Sequence, residues 1–176
     1  MPMILVSPLA MLDASIAQYR PSHLVSILSA SHMIETPGGI EHHLRLCLSD
    51  IATPTDGLVH PTDTHIERLI AFGAGWDGAA PLIVHCWAGV SRSMAAAFIL
   101  WCARLPGEAE GDIAKKIRAK AAHANPNRLM VGLADRILGR DGRMIDAVDS
   151  MGRAQFVEQG VPVEFSLERF AVSRKP

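Results

Sequence analysis

Five residues separate Cys86 from Arg92 within His85-Cys86-Trp87-Ala88-Gly89-Val90-Ser91-Arg92-Ser93. A cysteine and an arginine so spaced can close a tight loop whose backbone N–H groups turn inward. At the start of a helix such a nest binds a tetrahedral dianion. The same positive field stabilises a thiolate, the nucleophilic form of a cysteine. Gly89 allows the backbone geometry that a crowded loop needs. Arg92 carries a planar fork that matches two oxygens of a phosphate.

Every fixed position of the signature His-Cys-x5-Arg-Ser/Thr is filled. In this the chain resembles the cysteine-based phosphatases of the protein-tyrosine-phosphatase superfamily. The ending Ala-Gly-x-Ser-Arg-Ser looks most like the dual-specificity branch, in its bacterial type. The resemblance implies that Cys86 attacks phosphorus and forms a phosphocysteine. It implies that the amides of Trp87, Ala88, Gly89, Val90, Ser91 and Arg92, with the Arg92 side chain, hold the phosphoryl oxygens. Ser93 would stabilise the departing thiolate in the second step, and His85 would support the loop and help keep the cysteine ionised. The side chain of Ser91 reads equally well as loop filler. No cofactor is implied. The implied partner is a phosphorylated protein, with phosphate or another oxyanion in the loop.

A departing alkoxide or phenoxide needs a proton, which a carboxylic acid commonly supplies. Asp50 follows the alternating run Leu44, Leu46, Leu48, which reads as a strand, and it resembles the strand-end aspartate of the dual-specificity branch. The stretch before the next helix is a few residues longer than is usual there, so Asp56, in Thr55-Asp56-Gly57, is a rival. Asp50 is favoured because a strand end is held more rigidly than a loop tip. Asn125-Pro126-Asn127 resembles a Pro-Asn pair that opens a late helix in that branch, where the asparagine braces the phosphate loop. Capping its own helix is the alternative role for Asn127. The likeness covers about residues 20–140.

The elements that must position these groups follow from periodicity. Strands are expected at Met3–Val6, His23–Leu28, His43–Leu48 and Leu82–His85. A helix at Pro8–Tyr19 follows the first. Ile66, Leu69, Ile70 and Phe72 mark another, with Thr64-x-x-Glu67 as a candidate capping box and the apolar stripe fading at Gly73. The unit from His43 to Cys86 is then a right-handed crossover between parallel strands. That puts both strand ends on the edge where open α/β folds bind ligands. Ser93–Leu105 is apolar nearly all round and reads as a central helix. Helices are also expected at Glu108–Ala122, Asn127–Leu138 and Met144–Met151. The tail from Val161 stays unassigned, because Pro162 argues against a central strand. The expectation is an α/β fold in one domain, 1–176, with 155–176 as a tail of uncertain structure. Its mostly parallel sheet has about four to five strands flanked by helices, and its C-terminal half is helical.

Composition narrows the function classes. The 176 residues carry 17 basic and 18 acidic side chains and a formal net charge of -1, which argues against a broad nucleic-acid surface. Three cysteines make no disulfide framework and fit a reducing compartment. Cys47 and Cys102 read as buried, inert thiols. Met3–Val6 reads as a strand rather than a signal peptide, and Met94–Leu100 is too short to span a bilayer. A cytoplasmic protein without membrane association is expected. Neighbours on a strand point opposite ways, so His42 and His43 do not pair on a metal, and none is expected. Trp76-Asp77-Gly78 reads as a helix end and turn rather than an acid loop, and Arg140–Arg143 as a solvated turn. Two other functions stay open. One is a phosphatase for a phosphoinositide, a nucleotide or an RNA 5′-phosphate, although Trp87, Ala88 and Val90 fill places where phosphoinositide relatives often carry lysines. The other is a silent phospho-binding module, which would usually lose the cysteine or the arginine.

Overall fold

Runs of Leu, Ile and Val bounded by Pro, Ser and Gly form the strands β1 (Met3–Pro8), β2 (His23–Leu28), β3 (His42–Cys47) and β4 (Leu82–Cys86). In the computed structural model, which describes residues 2–167, β5 (Val163–Ser166) joins them in a sheet of order β3-β2-β4-β1-β5. The first four strands are parallel, and β5 runs antiparallel to β1 at the edge. Pro162 ends just outside this edge strand, where a missing N–H costs least. The last stretch of the expected tail, 168–176, lies outside the described residues.

β2 and β4 are buried along their whole length, because helices cover both faces of the sheet. On β3 the side chains alternate. Leu44 and Leu46 are inside, as is Leu48 just beyond it, whereas Arg45 and Cys47 are exposed. Cys47 is therefore not the buried thiol expected of it; the period of two that seats the leucines turns it outward. Cys102 is buried, and desolvation, ahead of the nearby Glu110 charge, pushes its thiol up to about 12.

One face of the sheet is covered by α1 (Leu12–Tyr19), which follows a 3-10 turn at Leu9–Met11 and packs on Leu5, Leu24 and Ile83. The main core lies on the other face, under α2 (Asp63–Gly75), α3 (Arg92–Arg104), α4 (Glu110–Lys120), α5 (Arg128–Ile137) and α6 (Arg143–Ser150). Every residue of α3 from Arg92 to Cys102 is buried, so this helix is the centre of the core. Burying side chains such as Phe98 and Ile99 contributes roughly 1.5–3 kcal/mol each.

Three local expectations change. α2 starts earlier than Thr64: Thr62 is its N-cap, and the Thr62 N–H donates to His65 Nδ1 at 3.2 Å. Its apolar stripe does not fade at Gly73, which is buried against Leu100 of α3. The turn at Arg140–Arg143 is tied down rather than solvated. Arg140 and Arg143 both pair with buried Glu110, at 3.2 and 3.3 Å. Trp76 ends α2, where Arg104 donates to the carbonyls of Gly73 and Trp76 at 2.8 and 2.7 Å. Asp77 precedes β4 and so lies at the sheet edge opposite Cys86. Among the described residues, no helix is long and apolar enough to cross a membrane.

The strand register brings Pro8 opposite Cys86 and Leu28 opposite Cys47. The carboxyl ends of β1 to β4 thus share one edge, and the loops leaving it can converge.

Candidate active site

Cys86 is the last residue of β4, and Arg92 is the first of α3. The five residues between them form a loop whose peptide units are held from outside. The carbonyl of Trp87 accepts from Leu9 N–H at 3.1 Å, and that of Ala88 from Gly160 N–H at 2.8 Å. The carbonyl of Val90 accepts from Asn125 N–H at 2.9 Å, and that of Ser91 from Asn127 N–H at 3.3 Å and Ala95 N–H at 2.9 Å. In a trans peptide the N–H points opposite to the carbonyl. The amides of Ala88, Gly89, Ser91 and Arg92 are therefore turned inward, at the N-terminus of α3. Gly89 has φ +71°, and a Cβ there would lie 2.8 Å from the backbone nitrogen of Pro8. Glycine is the residue that fits both the torsion and the space.

Cys86 is almost fully buried at the floor of this loop, and its Sγ lies 3.1 Å from the hydroxyl of buried Ser93. The Arg92 side chain is buried too. Its NH1 donates to the carbonyl of Leu48 at 3.0 Å. Its Nε faces Asp50 Oδ2 at 3.8 Å, too far for a hydrogen bond, and so has a donor to give. An anion above the amides would meet both Sγ and this guanidinium.

Asp50 lies just past β3, and three groups converge on it. Its Oδ1 accepts from Ser91 Oγ at 2.7 Å and from Asn127 Nδ2 at 2.9 Å, and its Oδ2 faces Arg92. Asn127 does more than either expected role. Its Oδ1 caps α5 by accepting from Met130 N–H at 3.1 Å, while its Nδ2 also donates to the carbonyl of Ile51 at 2.9 Å. The side chain thus braces the Asp50 segment, and the loop between Cys86 and Arg92 is held by the Asn127 backbone. Ser91 is no filler, since its hydroxyl ties the loop to Asp50. Asp56 sits on an exposed turn closed by Leu58 N–H on the Thr55 carbonyl and does not line the cleft.

The cleft over this floor has a volume of about 250 Å³ and is walled by Leu28, His32, Trp87, Asp50 and Arg92 among others. Trp87 is 55% exposed, with His32 edge-on to it at 4.9 Å. Among the described residues, Arg92 is the one arginine in the lining, and no lysine joins it. Sequence reasoning missed His32, because its place depends on a 3-10 turn, Ala30–His32, that no periodicity marks.

His85 is fully buried, and its Nε2 lies 2.6 Å from Ser26 Oγ. Desolvation dominates its ionisation and pulls it down to about 4, against a smaller opposing hydrogen bond with the Cys86 backbone. The ring is therefore neutral at pH 7. Ser26 was not singled out in the sequence; only strand register sets it opposite His85. Among the described residues, no three His, Cys, Asp or Glu side chains cluster in a way that could hold a metal ion.

No protein-family model matches the chain, and no curated protein matches it in sequence. Solved structures match its fold. The crystal structure of DUSP15 aligns with a TM-score of 0.60 and 19% identity, covering 90% of this chain and 96% of that one. Human DUSP28 aligns at 0.59 and 17% identity, covering 78% and 94%. PTPMT1 in complex with PI(5)P aligns at 0.58 and 15% identity, also covering 78% and 94%. The architecture is that of the dual-specificity phosphatases, and the likeness is one of fold.

Two outcomes are expected. Asn127→Ala removes a helix cap and the brace on Asp50. It should cost roughly 1–2 kcal/mol in urea unfolding and slow kcat on the order of tenfold or more through misplacement of the acid. A variant that melts earlier yet turns over normally would leave Asn127 the capping role alone. The second concerns pH. His85 stays neutral when folded but takes a proton near pH 6.5 when unfolded, so acid favours the unfolded chain. Its contribution is complete above about pH 6.5 and declines as pH falls to about 4, by ~3 kcal/mol in all. Burial lowers His23, His43, His65 and His123 in the same sense. Unfolding midpoints at pH 7 and pH 5 should differ, and His85→Asn should narrow the gap. Equal midpoints in the parent protein would contradict a neutral His85.

Proposed function

We propose that the chain hydrolyses phosphate monoesters of proteins, phosphotyrosine foremost, through a phosphocysteine on Cys86. The observation that carries this reading is the loop of inward amides with Cys86 Sγ at its floor, beside Ser93 and below Arg92. Three phosphoryl oxygens would take hydrogen bonds from the amides and the guanidinium. The Cys86 thiolate attacks phosphorus from the side opposite the ester oxygen. The P–O bond breaks as the S–P bond forms, and Asp50 gives its proton to the leaving oxygen. The Asp50 carboxylate then takes a proton from water, whose oxygen attacks phosphorus. The S–P bond breaks, inorganic phosphate leaves, and the Ser93 hydroxyl donates to the returning thiolate. A dianion in the loop would compete with Asp50 for the Arg92 guanidinium.

The cleft lining supports an aryl phosphate over a polyanion. Among the described residues it offers Trp87 and His32 as aromatic surface and a single arginine as cation, whereas a second phosphate would want cations of its own. PTPMT1, solved with PI(5)P, shares the fold, and so a phosphoinositide belongs in the substrate panel. The presence of both Cys86 and Arg92 speaks for catalysis rather than silent binding.

Turnover of phosphotyrosine, phosphoserine and phosphoinositide substrates tests the proposal directly. Cys86→Ser should abolish turnover and still bind phosphate, because a hydroxyl is far less ionised. Arg92→Lys keeps the charge but loses the fork, and kcat should fall on the order of 10²-fold or more. Substantial turnover by purified Cys86→Ser, or a near-normal Arg92→Lys, would overturn the mechanism.

The assignment of the acid has its own test. Asp50→Asn should be slow for phenyl-type leaving groups, much less so for activated ones, and should lose the basic limb of the kcat profile. Asp56→Asn should behave as the parent does. If only Asp56→Asn shows those signs, the acid comes from the longer loop.

A further inference from the structure

The face of the sheet away from the main core carries a row of hydrogen bonds that ends at His85, the residue before Cys86 on β4. Thr36 Oγ1 lies 3.0 Å from His43 Nδ1. His43 Nε2 lies 2.7 Å from Ser26 Oγ, and Ser26 Oγ lies 2.6 Å from His85 Nε2. Register explains the alignment. Ser26 of β2 is directly opposite both His85 of β4 and Arg45 of β3, so His43 is its diagonal neighbour on the same face. Ser26 and His85 have no solvent contact, and His43 is half-buried.

The direction of this row follows from proton counting. Ser26 has one hydroxyl proton and serves two imidazoles, so it donates to one and accepts from the other. The remaining nitrogen of His85, Nδ1, faces the Cys86 backbone, which favours a proton there, although the bond is not well formed in this geometry. A proton on Nδ1 of a neutral ring makes Nε2 an acceptor. Ser26 must then donate to His85 and accept from His43 Nε2–H. His43 Nδ1, left bare, accepts from Thr36. The reverse order would set a bare nitrogen against the Cys86 carbonyl. Desolvation lowers the pKa of both rings, that of His85 to about 4; around His43, Arg45 acts in the same direction and Glu35 against it.

We propose that Ser26 and His43 are positioning residues that fix the tautomer and orientation of His85, and that His85 Nδ1–H in turn holds the Cys86 peptide so that Sγ sits in the field of the loop amides. Neither residue touches substrate. This rests on the reading of Cys86 as an ionised nucleophile, and its test does not need phosphatase turnover.

The protein labelled with ¹⁵N at histidine gives the tautomers directly by long-range imidazole correlation spectra. His85 should be protonated on Nδ1 and His43 on Nε2. In Ser26→Ala and in His43→Phe the His85 signals should lose their single-tautomer pattern. Alkylation of Cys86 by iodoacetate at pH 6 should slow about tenfold, the effect of one lost hydrogen bond. Ser26→Thr keeps the hydroxyl and should restore both readouts. A purely structural role would lower the unfolding midpoint and leave the alkylation rate of the folded protein unchanged, and that result would overturn the proposal. So would an Nε2-protonated His85 in the parent, a measurement that needs no variant to fold. A parent with the expected tautomers and fast alkylation that hydrolyses no ester would instead overturn the proposed function.

Discussion

A loop that presents its N–H groups to one point must send its carbonyls the other way, and each buried carbonyl then needs a donor. Much of the architecture around residues 86–92 meets that demand. The donors come from the end of β1 at Leu9, the segment before β5 at Gly160, and the connection between α4 and α5 at Asn125 and Asn127. These segments are far apart in sequence, and only the packed sheet and helices bring them round one loop. Gly160 is constrained for the same reason. A Cβ there would meet His123 Nε2 at 2.7 Å and the carbonyl of Gly89 at 3.2 Å, so the tail can lie against the loop only with a bare Cα. The edge strand β5 therefore both extends the sheet and brings Gly160 against the loop that follows Cys86.

The acid is tied to the loop by side chains rather than by backbone. Asp50 is half open to the cleft, yet Ser91, Asn127 and Arg92 all reach it. Two hydrogen bonds and the nearby guanidinium orient Asp50 without burying it. Arg92 sits between two demands. The Leu48 carbonyl fixes one end of its fork, and the rest can turn from Asp50 to an incoming oxyanion. The same contact carries position from β3 to α3, since Leu48 and Asp50 belong to one short stretch of chain.

The site was legible in the sequence where its residues are neighbours. The loop from His85 to Ser93 is one continuous segment, and its strand-to-helix setting follows from an apolar run on each side. The four parallel strands were legible because period-two alternation and full burial leave distinct marks, as Leu44 and Leu46 do against Arg45. Relations between segments were not. Loop length set Asp50 and Asp56 as rivals, and sequence could not show that Asn127 reaches Asp50 across 77 residues. Ser26 and His43 looked like unremarkable strand residues, because register decides what stands beside them. The tail alternated like a strand, and no local signal told which edge it would join. Cys47 could have been read correctly, since the pattern that buries Leu46 and Leu48 requires it to face out.

Burial of His85 decides where the positive field at Cys86 comes from. Many thiolates are stabilised by an imidazolium next to them. Here that partner would be a buried cation without a counter-ion, and desolvation removes it, leaving the ring neutral well below pH 7. Any support His85 gives the nucleophile must therefore be a hydrogen bond to its peptide rather than a charge. In the proposed mechanism the positive field then comes from the aligned amides at the start of α3 and from the Arg92 guanidinium. Such a field keeps its strength across the range in which histidine would lose its proton. It also aims at the point where the proposed mechanism sets a phosphate, so the groups that would support the nucleophile are those that would hold the substrate.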